Sequence, residues 1–176
     1  MAALMGVRAL LVQVHGLLSE ASRRLGDKGW TRGSQSQKTT HLSNRADSPN
    51  DWMPTYLMRW YLHPERPGVR LVVVVHLATL DDVPEVPLVA AGAFIGTERP
   101  ATGPGQTRLT DTDAAGFGAD LHTNPEETPP NGRVIRRPWD TGEVVSLAVP
   151  LFSIDGPGAL QAKVLGPLLA EVAPEG

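Results

Sequence analysis

Between Tyr56 and Phe94 the chain carries three consecutive apolar runs separated by turn chemistry, a pattern that few folds accept. Tyr56–His63 (YLMRWYLH) alternates large apolar and polar residues. Arg70–Leu80 (RLVVVVHLATL) is β-branched and almost wholly apolar, and Leu88–Ile95 (LVAAGAFI) is small and apolar. The joints, Pro64-Glu65-Arg66-Pro67-Gly68 and Asp81-Asp82-Val83-Pro84-Glu85, supply the Pro, Gly and Asp that tight reversals require. Three antiparallel strands in a meander are the expected result.

Two further strands follow later in the chain. Arg133–Trp139 (RVIRRPW) and Glu143–Phe152 (EVVSLAVPLF) are joined by Asp140-Thr141-Gly142, a short hairpin connection with glycine where a positive φ is often needed. Pro138 and Pro150 cannot donate to a ladder and belong near strand ends or on an edge. Ile154-Asp155-Gly156-Pro157-Gly158 then turns the chain into a last helix, Ala159–Val172, in which Pro167 introduces a kink or a division.

The N-terminal segment has the sharpest periodicity. Leu4, Val7, Leu11, Val14, Leu18, Ala21 and Leu25 repeat at alternating steps of three and four, a heptad seam that Leu10 and Leu17 widen on one flank. Gly26 reads as its C-cap. Two uses fit such a stripe: a core helix packed on the sheet, or a helix–helix seam with another subunit. The order of elements predicts an α+β fold with an N-terminal amphipathic helix, a five-stranded mostly antiparallel sheet and a C-terminal helix. One domain is expected, divided into the helix 1–26, a polar loop 27–51 and a sheet domain 52–176.

Composition narrows the classes of function. A chain of 176 residues is long enough for a real core, although 18 Gly and 16 Pro mark much of it as loop. A net charge of −3 gives no electrostatic reason to expect nucleic-acid binding. The chain has no cysteine, which excludes disulfides and thiolate metal sites and fits a reducing compartment. Unbroken apolar runs such as Leu71–Val75 are far below the ~20 residues a transmembrane helix needs. The N-terminus lacks a basic n-region, and Arg8 and His15 interrupt its apolar part, so it reads as a mature helix of a cytoplasmic protein. The richness in Ala, Gly, Pro, Arg and Val suits a GC-rich bacterial genome.

Two stretches read as long irregular loops. Asp27–Asp51 is polar, and its Lys28, Arg32, Lys38 and Arg45, with His41, offer contacts to an anion or a partner. Thr97–Gly132 holds Asp111-Thr112-Asp113-Ala114-Ala115-Gly116, which begins like a calcium loop. Ala115 at position 5 and His122 at position 12 supply too few oxygens for that ion. Asp120, His122 and Glu126 have no second histidine nearby, so no metal or other cofactor is expected.

Strand pairing leads to a candidate binding face. If the Pro64–Val69 turn sets His63 opposite Arg70, then Tyr56, Met58, Trp60 and Leu62 share the core face with Leu71, Val73, Val75 and Leu77. The other face then gathers Arg59, Tyr61, His63, Arg70 and His76, a row suited to an anionic ligand or an acidic partner. The grouping depends on register, because a slip of one residue regroups neighbours across strands. His76 interrupts an apolar run and needs a polar partner if buried. As a general base it would also need an orienting carboxylate and a nucleophile, and Asp81 and Asp82 fall past the strand end. No GxSxG, HExxH or Walker A signature occurs, which disfavours an enzyme.

Val144–Gly156 (VVSLAVPLFSIDG) resembles the penultimate strand and turn of small-molecule sensor domains of the GAF and Cache types, where an apolar strand ending in proline precedes an Asp-Gly turn. The strand usual after that turn is replaced here by helix-like GALQAKVLGPLLAEV, and the resemblance implies no ligand residue. The leading expectation is a non-catalytic accessory subunit that assembles with a protein partner or with itself. Its contacts would come from the N-terminal helix (Leu4, Val7, Leu11, Val14, Leu18, Leu25) or from the sheet face. The alternatives are a sensor of a small anionic ligand held by Arg59, Tyr61, His63, Arg70 or His76, and a metal-dependent hydrolase or nuclease of unfamiliar type.

Overall fold

The structure, a computed structural model, describes residues 2–33, 56–77, 86–96, 131–139 and 142–173. Helix α1 (Ala2–Gly26) is followed by β1 (Thr31–Arg32), β2 (Tyr56–His63), β3 (Arg66–His76), β4 (Leu88–Gly96), β5 (Ile135–Trp139) and β6 (Gly142–Pro150). A 3-10 turn (Leu151–Ser153) leads into a C-terminal helix built of α2 (Pro157–Leu160), a π-helical segment (Gln161–Leu165) and α3 (Gly166–Glu171). All strands join one antiparallel sheet in the order β1-β2-β3-β4-β6-β5.

This is the expected α+β architecture, with six strands among the described residues in place of five. The additional strand is Thr31–Arg32, which pairs with Leu62 and Tyr61 inside the segment read as loop. Two residues are too few to show a period-2 pattern, so nothing in the sequence marked them. Lys38, His41 and Arg45 lie outside the described residues, as do Asp81, Asp82, Asp111–Gly116, Asp120, His122 and Glu126.

Both faces of the sheet are apolar, which explains the unbroken valines of β3. Leu71, Val73 and Val75 point into a core shared with α1 and the C-terminal helix, while Val72 and Val74 join Met58, Trp60, Phe94 and Val144 in a second cluster. A sheet buried on both sides needs continuous rather than alternating apolar sequence. In β4, Ala91 and Ala93 face the helices, and their small side chains leave room for Val164 and Leu165 of the π-helical segment. Pro167 does not divide the helix. One residue before it the backbone takes up an extra residue, the Gly166 N–H reaching back to the Gln161 carbonyl, and the helix continues through α3.

Strand placement follows donor chemistry. The apolar β6 lies inside the sheet against β4, and β5, with Arg136, Arg137 and Pro138, takes the edge where proline is tolerated. Gly142 is not a positive-φ turn residue as expected. It lies opposite Gly96, and a Cβ there would come within 2.3 Å of the Ile95 carbonyl oxygen, so close approach of two strands requires the glycine.

The end of α1 is also set differently from the expectation. Gly26 is its last residue, but the cap is Gly29, with φ +83°. The Gly29 N–H donates to Gly26 O and the Trp30 N–H to Leu25 O, both at 3.0 Å, the two bonds of a Schellman motif. Trp30 and Leu25 are both buried in the core, the apolar contact that accompanies this motif. The first helix is thereby locked to the start of the sheet.

Gly29→Ala should lower unfolding free energy by about 1–2 kcal/mol from the left-handed backbone alone. The new Cβ would also meet His63 Nε2 at 2.9 Å, adding to that loss. Chemical denaturation of the variant measures it. Leu18→Asp should abolish folding as judged by circular dichroism, since it buries an unpaired carboxylate where the side chain is 3% exposed.

Candidate functional site on the two flanks of the first helix

A bulge between Leu62 and His63 decides where the candidate residues go. Leu62, not His63, faces Arg70, so Tyr61 pairs with Leu71, Arg59 with Val73, Leu57 with Val75 and Tyr56 with His76. The expected register is off by one, and the slip regroups the faces. Leu57, Arg59 and Tyr61 share the helix-covered face with Leu71, Val73 and Val75. Arg70 and His76 lie on the opposite face with Met58 and Trp60. The single row of Arg59, Tyr61, His63, Arg70 and His76 does not form.

The remaining members have separate environments. His63 packs edge-on against Trp30 with ring centroids 5.0 Å apart, and its Nδ1 accepts from the Glu65 N–H at 3.3 Å. Arg70 donates to the carbonyls of Pro67 and Val69 within its own strand. His76 is buried beside Tyr56, their rings 6.3 Å apart. Among the described residues, no group of three His, Asp or Glu side chains could hold a metal ion.

Arg59 and Tyr61 do come together, under α1. Arg59 is 8% exposed, and its Nη1 donates to Ser22 Oγ at 3.0 Å and Ser19 Oγ at 3.3 Å. Ser22 Oγ gives its one proton to the Leu18 carbonyl at 2.9 Å, so the Tyr61 hydroxyl, 3.0 Å away, is the donor in the Ser22–Tyr61 bond. Burial pushes the Tyr61 phenol up despite that bond. Burial also lowers the Arg59 pKa, and Arg32 adds its repulsion. Pairing of Arg32 with Tyr61 across β1 and β2 sets Arg32 on this same face. Among the described residues Arg59 has no carboxylate partner. Ser19 and Ser22 were missed in the sequence because serine inside a helix has no periodic signature.

The heptad seam is mostly core. Val14, Leu18, Ala21 and Leu25 are buried against the sheet, whereas Leu10, Leu11 and Leu17 are half-buried at its margin. The side chains of Leu4 and Val7 lie outside the described residues. Along the Leu10–Leu17 flank runs a groove of about 450 Å³, closed on its other side by Leu151–Leu160 and including Phe152, Ile154 and Pro157. Phe152 is 73% exposed at its rim. At ~100° per residue, the Leu10–Leu17 stripe and the Ser19–Ser22 stripe fall on opposite flanks of the seam. The groove and the arginine cluster are therefore separate features of one helix.

The Val144–Gly156 segment forms β6 and the following turn, after which the chain enters α2 rather than a strand. No described helix is long and apolar enough to cross a membrane. In comparisons with known proteins, no family model, curated protein or solved structure matches the chain.

Glu20 forms part of the groove wall. Hydrogen bonds from Arg23 and then Arg24 hold its carboxyl down at about 2, against 4.5 ordinarily. Because the folded value is the lower one, the stabilisation it supplies is complete above pH ~4.5 and fades as pH falls towards 2. NMR titration of the Glu20 carboxyl should show that low midpoint, moving upward in high salt because the pairs are solvent-facing. Glu20→Gln should remove this part of the acid dependence of stability.

Proposed function

We propose that the protein is a non-catalytic interaction subunit that assembles through the groove between α1 and residues 151–160. The observation that carries this reading is Phe152, a large aromatic ring left 73% exposed beside a groove floored by Leu10, Leu17 and Leu160. An isolated surface leucine is ordinary, but an aromatic side chain at the rim of an apolar groove matches the anchors that dominate interface energetics. Grooves of this kind take the apolar face of an amphipathic helix, read at steps of three and four residues. The buried part of the heptad seam is occupied by the chain's own sheet, which leaves the flank rather than the seam for a partner.

Self-association is the form of this proposal that needs no second protein. Light scattering of the purified chain should give a dimer or larger species, and Phe152→Asp should give a folded monomer with an unchanged melting temperature. A monomeric wild type whose mass and stability Phe152→Asp leaves unchanged would overturn self-assembly through this groove.

A further inference from the structure

On the opposite flank of α1, we infer a binding site for a doubly charged oxyanion, a phosphate group, formed by Arg59, Arg32 and Ser19. The argument begins with what Arg59 lacks. An arginine largely enclosed by protein is ordinarily matched by a carboxylate, because a charge taken out of water needs a partner. Arg59 is 8% exposed as a whole residue, yet among the described residues its side-chain hydrogen bonds go only to two neutral serine hydroxyls.

Both of those bonds come from Nη1, leaving Nε and Nη2 without an acceptor among the described residues. That pair of nitrogens is the edge that binds phosphate or carboxylate through two parallel hydrogen bonds. Ser22 is fully used, giving its proton to Leu18 and accepting from Arg59 and Tyr61. Ser19 accepts from Arg59 and keeps its own proton available, so it adds a neutral donor beside the guanidinium.

The second cation decides between ligand classes. Arg32 is on the same sheet face, one strand over, close enough to act on both Arg59 and Tyr61. Two like charges brought together at a sheet edge repel in the empty site, and a ligand of charge −2 removes that repulsion. A carboxylate would neutralise only half of it. The Ser22–Tyr61 bond holds the floor of the site rigid, so the donors are positioned before the anion arrives.

Inorganic phosphate is the probe, with acetate as the singly charged control, followed by NMR on the full chain. Phosphate should produce saturable shifts at Ser19, Arg32 and Arg59, with acetate at least tenfold weaker. Arg59→Gln should abolish binding. Because that substitution touches a buried residue, Arg32→Gln at an exposed position provides the second test and should weaken phosphate about three- to tenfold with folding intact. Absence of saturable shifts at millimolar phosphate would overturn the inference. So would equal binding of acetate, or wild-type affinity in a folded Arg32→Gln protein. Each of these readouts is independent of assembly through the Phe152 groove.

Discussion

The register between β2 and β3 is the constraint on which the rest of the molecule depends. One bulge at Leu62/His63 sets Leu62 rather than His63 opposite Arg70, and from there every side chain of β2 is assigned a face. Trp60 and Met58 go to one cluster, and Tyr61 and Leu57 go to the other. The same bulge sends Arg59 beneath α1, where Ser19 and Ser22 meet it. Without that offset of one residue there would be no arginine under the helix, and β1 would present Arg32 to a different surface.

Helix α1 has two roles at once. Its seam, from Val14 to Leu25, is anchored in the core and terminated by Gly29 and Trp30, so the helix cannot roll on the sheet without breaking a cap. Its two flanks, being outside the seam, are free to differ. One is apolar and faces the groove with Phe152, and the other is hydroxylated and faces Arg59. A rigid helix carrying unlike flanks can hold two surfaces in a fixed relation.

The strands of the meander and the hairpin were legible because β-branched runs and turn residues have strong local signals. The flank role of Leu10 and Leu17 was legible from the same 3.6-residue periodicity that revealed the seam. Face assignment was not, since it rests on a bulge, and one added residue in a turn leaves no mark in composition. The capping glycine was misplaced by three positions because Gly26 and Gly29 both follow the last periodic leucine, and only backbone hydrogen bonding separates them. Ser19 and Ser22 acquire meaning only through contacts about 40 residues distant in sequence. Long-range polar pairing of that kind has no period to detect.

The edge strand β5 has a further consequence. Pro138 removes a donor from the outer margin, and Arg136 is held by Glu143 and by Glu171 at the end of α3, which clasps the strand to the helix layer. A margin built this way resists extension by a foreign strand, the commonest route by which sheets recruit one another uncontrollably. On that margin, any contact with another molecule falls to side chains rather than backbone. Because the hydrogen-bonded frame is closed there, the outward-facing residues of β5 can diverge in sequence while the fold beneath stays the same.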